Sequence, residues 1–234
     1  MRNPVMLFMI FFCTVPAFPQ TIQIEEYNHI LEHVLSLESR YLEYKDIDGN
    51  PYSNEELIPG TIAFVSGNHM ENVPLRYNWY RKDMEFENEG KILAIPVMQD
   101  IDYIVINDTK YVPFYYIKTI RGYLIEVVKG DYSLFRNEDV RFIDAKPPAS
   151  GYDQFQPAKF EWKNPRFIVI TSNSEIFEIN TNKKKFPLQF PGFEEEIETF
   201  CKEHRINLKN ETDLKSVIDM LNSLQQESNT SENN

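Results

Sequence analysis

Leu75-Arg76-Tyr77-Asn78-Trp79 and Met84-Glu85-Phe86-Glu87 are the two stretches that decide the fold. In both stretches apolar and polar residues alternate strictly, which is the period of a β-strand with one buried and one wet face. Short links rich in Asn, Asp and Gly separate these stretches from their neighbours, and short links join antiparallel strands. The middle of the chain therefore predicts an antiparallel meander.

Further strand-like runs extend this pattern in both directions along the chain. We predict a mainly β (α+β) protein in which residues 59–185 form a meander of about nine to eleven strands, either a curved sheet or a partly closed barrel. Residues 145–165 contain Lys146-Pro147-Pro148 and predict a long loop, because proline cannot sit inside a ladder. The further runs are Ile62–Val65, Lys91–Ile95, Tyr103–Ile106, Tyr111–Ile117, Tyr123–Val128, Tyr132–Phe135, Val140–Ile143, Arg166–Thr171 and Ile176–Ile179.

Helical periodicity flanks the β region on both sides. Residues 20–58 predict an N-terminal helix followed by a turn-rich arm, and residues 186–225 predict a C-terminal helical hairpin packed on the sheet. Residues 226–234 contain no apolar residue and predict a disordered tail. The apolar stripes of the hairpin are Phe193, Ile197, Phe200 and Cys201, followed by Leu214, Val217, Ile218, Leu221 and Leu224.

The N-terminus, residues 1–19, has the three-part layout of a secretory signal peptide. Arg2 precedes an apolar run from Val5 to Val15, and the small residue Ala17 offers a cleavage site. The apolar run is about half the length that spans a bilayer. We therefore expect an exported protein with no transmembrane segment after leader cleavage.

Composition excludes some classes of function. The chain carries 24 Lys and Arg against 36 Asp and Glu, a net charge of −12. Phosphate backbones repel such a protein, so nucleic acid is not an expected partner. Cys13 leaves with the leader, so Cys201 has no partner for an internal disulfide and is expected to pack in the core.

The motif His29-Ile30-Leu31-Glu32-His33 has the H-x-x-E-H form of inverted zinc peptidases. It resembles the active-site helix of the insulinase–pitrilysin peptidases, which would make His29 and His33 metal ligands and Glu32 the base. Those enzymes need strands ahead of this helix and an acidic ligand on a later helix, whereas here strands follow the motif. The wet face of an amphipathic helix is the simpler interpretation, and no catalytic, cofactor or metal residue is assigned.

Two other polar stretches have simpler structural interpretations. Asp46-x-Asp48-Gly49-Asn50 lacks the spacing of a calcium loop and predicts a tight turn in which Gly49 adopts a positive φ. Lys183-Lys184-Lys185 is a basic run in an acidic protein. We interpret it as a solvated link between sheet and helices, with contact to an acidic partner or to lipid headgroups as the alternative.

Three segments carry a resemblance to a known group of proteins. Residues Tyr41–Tyr52, Val73–Asn78 running into Met84–Phe86, and Phe186–Leu221 resemble uncharacterised exported proteins of Gram-negative bacteria of the Bacteroidetes type. The resemblance implies a β-rich protein of the periplasm or the outer cell surface. It implies no catalytic residues.

The prediction for function is an exported, non-enzymatic binding or interaction protein of the cell envelope without a cofactor. Its unknown partner would be a protein, a peptide or a glycan, because Tyr and Trp crowd the predicted strands and suit such surfaces. One alternative is a secreted zinc metallopeptidase that uses His29, Glu32 and His33. A second alternative is a carrier of small lipophilic ligands with a barrel-like cavity.

Overall fold

The computed structural model describes residues 28, 30, 44, 47–88, 90–95, 97–117, 120–148 and 154–231. Near the C-terminus lie a short 3₁₀ turn, Pro187–Gln189, and the helices α1, Glu194–Glu203, and α2, Glu211–Ser231. The strands are β1 Ile58–Phe64, β2 His69–Asn78, β3 Asp83–Asn88, β4 Lys91–Ile95, β5 Ile101–Ile106, β6 Thr109–Ile117, β7 Ile120–Val128, β8 Tyr132–Asn137, β9 Val140–Ile143, β10 Lys159–Trp162, β11 Arg166–Thr171 and β12 Ile176–Glu178.

Ten of these strands form one antiparallel sheet in the order β12-β11-β8-β7-β6-β5-β1-β2-β3-β4. The sheet consists of two four-stranded meanders, β1–β4 and β5–β8, which meet where β1 pairs with β5. Strands β11 and β12 extend the second meander. The prediction of a mainly β antiparallel fold is confirmed, and the sheet is open rather than closed into a barrel.

Strands β9 and β10 form a separate two-stranded ribbon. The expectation of a long loop over residues 145–165 is therefore wrong for Lys159–Trp162, which form β10. Its Phe160 is buried and packs edge-on against Tyr44 with ring centres 4.8 Å apart. The ribbon thus closes over the aromatic core of the larger sheet.

The sheet curves strongly enough to bring β3 against β7, which lies five places away in the strand order. Tyr77 on β2 lies in the concave face, where its ring centre is 5.8 Å from that of Tyr123 on β7 and 5.5 Å from that of Tyr111 on β6. Trp79, fully buried, packs edge-on against Tyr77. Burial of these large rings stabilises the curvature.

A second hydrophobic core lies between the sheet and the C-terminal helices. Helix α2 contacts β7 and β8, and its predicted stripe is buried, with Leu214, Val217, Ile218 and Leu221 each at 0% exposure. The N-cap of this helix is Asn210, whose Oδ1 accepts the backbone N–H of Asp213 at 3.0 Å. The predicted hairpin packs on the sheet through these residues.

The N-terminal arm crosses the end of β2. Asn28 and Ile30 are helical, and Ile30 is buried in the first core; the rest of the predicted N-terminal helix and the predicted leader lie outside the described residues. The backbone N–H of Trp79 donates to the carbonyl of Pro51 at 2.9 Å. Gly49 has φ +74°, which confirms the turn predicted at this position.

Helix α2 continues to Ser231, beyond residue 225 where the sequence pattern predicts its end. The tail predicted over 226–234 is therefore helical as far as Ser231. Gln225, Gln226 and Glu227 are good helix formers, and the Thr230 hydroxyl donates to the carbonyl of Gln226 at 2.7 Å in the last turn. None of the helices that the structure describes is long and apolar enough to cross a membrane.

Candidate functional site

The residues of the zinc alternative, His29, Glu32 and His33, lie outside the described residues. Within the described ranges there is no group of three or more His, Cys, Asp or Glu side chains arranged to hold a metal ion. The geometry of the H-x-x-E-H motif therefore stays a prediction.

The basic run at residues 183–185 is held in a defined turn by two asparagines. The side-chain Oδ1 of Asn182 accepts the backbone N–H of Lys184 at 2.9 Å, and the Oδ1 of Asn180 accepts the N–H of Asn182 at 3.0 Å. The carbonyl of Asn182 accepts the N–H groups of Lys185 and Phe186, each at 2.9 Å. Such Asx turns fix the backbone from which the lysine side chains project.

The C-terminal end of α1 faces this turn. Arg205 follows the helix with φ +53°, and the N–H of Ile206 donates to the carbonyl of Cys201 at 3.0 Å. This is the 6→1 bond of a Schellman motif, with a non-glycine residue in the left-handed position. The motif folds Ile206 back against Cys201 and leaves Lys202 in the last turn, where a cation interacts favourably with the helix dipole.

A half-open cleft of about 610 Å³ lies between the basic turn and α1. We call it the lysine cleft. Its volume falls within the range of small-molecule sites. Its lining residues are Lys183, Lys184, Phe186, Pro187, Glu198, Cys201, Lys202, Ile206 and Leu208.

The cleft has a cationic mouth above the second core. Phe186, Ile206 and Leu208 lie at its base but are 0%, 4% and 4% exposed, whereas Lys183, Lys184 and Lys202 are exposed. In the part of the chain that the structure describes, these three ammonium groups pair with no carboxylate. Glu198 is the acidic residue of the lining. An anionic group would find complementary charge at the mouth, and an apolar group beside it would contact Cys201 and the aliphatic stems of the lysines.

Cys201 is half-buried, packs against the second core as predicted, and also lines the cleft. Burial raises the pKa of its thiol, and the nearby charge of Lys183 opposes this shift only in part. The thiol therefore stays protonated near neutral pH and is a poor nucleophile. Its contribution to the cleft is apolar surface.

A second polar cluster lies at the end of β8. The Nζ of Lys82 donates to the carbonyl of Glu138 at 2.7 Å and lies 5.1 Å from the centre of the Trp79 ring. Burial lowers the pKa of this amine to about 8. Asn137 is only 1% exposed, and among the described residues neither of its side-chain amide atoms has a hydrogen-bond partner. The cluster ties the β2–β3 turn to the chain after β8.

The buried carboxylate of Glu85 is fully accounted for by structural contacts. It accepts from the Nε of Arg76 at 2.8 Å and from the Nδ2 of Asn78 at 2.9 Å. Arg76 also lies over the ring of Tyr52, with 3.9 Å to the ring centre. This network fastens the N-terminal arm to β2 and gives each oxygen of the buried carboxylate a donor.

Comparison with known proteins gives no name for this arrangement. No protein-family model, no curated protein and no solved structure matches the chain.

Sequence patterns pointed to only part of the lysine cleft. The run Lys183-Lys184-Lys185 stands out in the sequence by its charge. Cys201 stands out because it is the cysteine that remains if the predicted leader with Cys13 is removed. Lys202 gave no signal, because a lysine near a helix end is common. One further signal could have been used. The basic run and α1 are close in sequence and lie on either side of the apolar residues Phe186 and Pro187, which indicates that the two pack near each other.

Proposed function

We propose that this chain is an exported, non-enzymatic binding protein of the cell envelope and that the lysine cleft is its ligand site. The observation that carries the proposal is the convergence of three unpaired lysines on one cleft in a chain of net charge −12. Other exposed lysines of the described chain, among them Lys91, Lys129 and Lys146, also pair with no carboxylate, but they do not line this cleft. Several unpaired cations around one concavity are suited to an external anion.

Binding rather than catalysis is supported by the chemistry of the lining. The cleft offers ammonium groups and apolar side chains, and its thiol has a raised pKa. Nucleophilic catalysis would need an activated thiolate with a base within hydrogen-bond reach. The proposal also places the protein outside the cytoplasm, because residues 1–19 have the pattern of a secretory signal peptide.

The test is fluorescence titration with 1-anilinonaphthalene-8-sulfonate, a probe with one anionic and one apolar part. The wild-type protein should bind it, and the triple variant Lys183→Glu, Lys184→Glu, Lys202→Glu should bind at least tenfold more weakly. A matched control, Lys91→Glu, Lys129→Glu, Lys146→Glu, changes the net charge equally at exposed sites far along the sequence from the cleft. The control should bind like wild type.

Two results would overturn the proposed site. Equal loss of affinity in both triple variants would show that the probe responds to net charge alone. No binding to the folded wild-type protein would show that the cleft does not accept an apolar anion.

A further inference from the structure

We infer that a shallow groove between α1 and α2 binds a basic amphipathic helix of a partner polypeptide. The groove has a volume of about 420 Å³ and shares no lining residue with the lysine cleft. The inference therefore goes beyond the proposed function and does not depend on it. We call this surface the helix groove, and its lining includes Glu195, Glu196, Phe200, Glu203, Met220 and Leu224.

Helix α1 presents a different face to each of the two concavities. Residues three or four positions apart lie on the same face of a helix. Glu198 and Lys202 have this spacing and line the lysine cleft, whereas Glu196, Phe200 and Glu203 have it and line the helix groove. The helix therefore separates the two concavities.

The floor of the helix groove is apolar surface that solvent reaches. It consists of Phe200 on α1 and of Met220 and Leu224, one turn apart, on α2. All three side chains are partly exposed, in contrast to the fully buried stripe of α2 that packs on the sheet. The ring of Phe200 is stacked on the imidazole of His204, with ring centres 4.3 Å apart, which holds it in place. A partner that covers this floor removes apolar area from water.

Carboxylates border the apolar floor. Glu195, Glu196 and Glu203 are exposed, and within the described part of the chain they pair with no cation. Exposed carboxylates are common in so acidic a chain, and these three differ in bordering partly exposed apolar side chains. A partner that complements both features carries Lys or Arg beside an apolar stripe.

A helix suits this groove better than an extended peptide does. An extended peptide gains affinity from main-chain hydrogen bonds to a strand edge, whereas both walls of the groove are helices whose inner backbone groups are already bonded. An amphipathic helix satisfies its own backbone and needs only side-chain contacts. From Glu196 to Glu203 the acidic rim spans about 10 Å along α1, which matches two turns of a partner helix.

Charge disfavours this chain itself as the occupant. Residues 20–43 form an amphipathic stretch of sequence but contain five glutamates against one arginine. A second copy carries the same net charge of −12 and is repelled at long range. The occupant is therefore a basic segment of another polypeptide.

Fluorescence anisotropy with a labelled peptide of sequence LKKLLKLLKKLLKL tests the inference, because this peptide forms a helix with a leucine face and a lysine rim. It should bind at least fivefold more tightly than LKLKLKLKLKLKLL, which has the same composition but the period of a strand. Circular dichroism of the mixture should show more helix than the sum of the separate components. The peptide LEELLELLEELLEL, in which glutamate replaces each lysine, should show no saturable binding.

Variants of the groove distinguish it from attraction to net charge. The triple variant Glu195→Gln, Glu196→Gln, Glu203→Gln should weaken binding of the helical lysine peptide about fivefold or more, because several exposed ion pairs are lost together. The matched control Glu55→Gln, Glu56→Gln, Glu87→Gln removes three exposed carboxylates outside the groove and should change the affinity less than about twofold. Met220→Gln keeps a good helix former, removes part of the floor and should weaken binding several-fold.

Three outcomes would overturn the inference. Equal weakening by the two triple variants would mean that the peptide responds only to net charge. Equal or tighter binding of the alternating peptide would assign the groove to extended chains. A self-associated species of the free protein, seen by sedimentation and lost in the Glu195→Gln, Glu196→Gln, Glu203→Gln variant, would assign the groove to a second copy.

Discussion

The phenolic oxygen of Tyr77 accepts a hydrogen bond from the backbone N–H of Tyr123 at 2.9 Å, although their strands are not neighbours in the sheet. The bond spans the concave face and ties β2 to β7. Gly122 makes this approach possible, because a Cβ there would lie 2.3 Å from the Tyr77 oxygen and 2.8 Å from the carbonyl of Lys82. Its φ of +102° also favours glycine.

Tyr77→Phe should lower the free energy of unfolding by about 1–3 kcal/mol, because the buried N–H of Tyr123 loses its acceptor. Chemical denaturation monitored by circular dichroism measures the change. Tyr115→Phe is the matched control, since Tyr115 is 50% exposed and the same substitution there should change stability by less than about 0.5 kcal/mol. Equal effects of the two substitutions would contradict a role for the cross-sheet bond.

The side chain of Asn222 on α2 hydrogen-bonds both backbone polar groups of Tyr132 on β8, as a neighbouring strand would. Its Oδ1 accepts the N–H of Tyr132 at 2.8 Å, and its Nδ2 donates to the carbonyl of Tyr132 at 3.0 Å. Asn222→Ala should cost about 2 kcal/mol or more, because two backbone groups lose their partners. Gln226→Ala, at an exposed position of the same helix, should be nearly neutral in the same denaturation experiment. A neutral Asn222→Ala variant would show that water replaces the amide without loss.

Lys82 should make stability depend on pH above neutrality. Burial lowers the pKa of this amine to about 8 in the folded state, whereas in the unfolded chain its pKa is about 10.4. Between these values the unfolded state binds more protons, so the contribution of Lys82 to stability rises with pH. Measured from about pH 7.5 to about pH 9.5, the difference in unfolding free energy between wild type and Lys82→Met should therefore shift in favour of wild type.

The control for this pH profile is Lys91→Met, which replaces an exposed lysine. Its difference from wild type should not vary over the same pH range. Because each variant is compared with wild type at the same pH, the effects of groups that both proteins share, such as the buried tyrosines and Cys201, cancel. A flat difference for Lys82→Met would contradict the lowered pKa.

Cys201 reports on occupancy of the lysine cleft. Alkylation by iodoacetamide near neutral pH should be slower than that of free cysteine, because burial raises the pKa of the thiol and the thiolate is the reacting form. The naphthalene sulfonate probe at saturation should slow the reaction about tenfold further by covering the cleft. Mass spectrometry of the alkylated protein measures both rates. The probe should give no protection in the Lys183→Glu, Lys184→Glu, Lys202→Glu variant, and protection there would place the probe elsewhere.

The strands could be predicted because the apolar residues of the alternating pattern are buried. In Leu75–Asn78 the apolar residues Leu75 and Tyr77 are 0% and 1% exposed. The expectation that the opposite face is wet is wrong for Asn78 and Glu85, which are 0% and 5% exposed because the N-terminal arm packs over this face. Strand β10 was missed because Lys159–Trp162 is short, follows Pro157 and forms a ribbon with β9 apart from the main sheet. The open form of the sheet could not be chosen in advance. It depends on which strands end at the edges, and alternation carries no information about that order.

The candidate site could be predicted only in fragments. Basic and apolar residues of 183–208 are visible in the sequence, but their convergence needs the turn built by Asn182 and the left-handed Arg205. The hydrogen bond to Asn182 positions Lys184, and the hydrogen bond to Cys201 beside Arg205 positions Ile206. Neither hydrogen bond is visible as a periodic pattern in the sequence. The zinc motif differs from the cleft in this respect. The spacing of His29 and His33 is visible in the sequence, but both residues lie outside the described part of the chain.

The ladder between β1 and β5 has a consequence for the order of folding. Within each four-stranded meander, pairing strands follow one another in the chain, whereas β1 meets β5 only after three intervening strands. A longer closing loop costs more chain entropy, so contacts across this ladder should form late. A Cβ at Gly60 would lie 2.5 Å from the carbonyl of Val105 on the facing strand. Gly60→Ala should therefore speed unfolding in stopped-flow measurements and hardly change refolding.

If Gly60→Ala instead raised the barrier to refolding by as much as it lowered stability, the β1–β5 ladder would already be formed in the transition state for folding. With late closure, each four-stranded meander forms first, and the two then join through the β1–β5 ladder and through the Tyr77–Tyr123 bond across the concave face. Separating one half of the sheet from the other therefore requires both connections to open together.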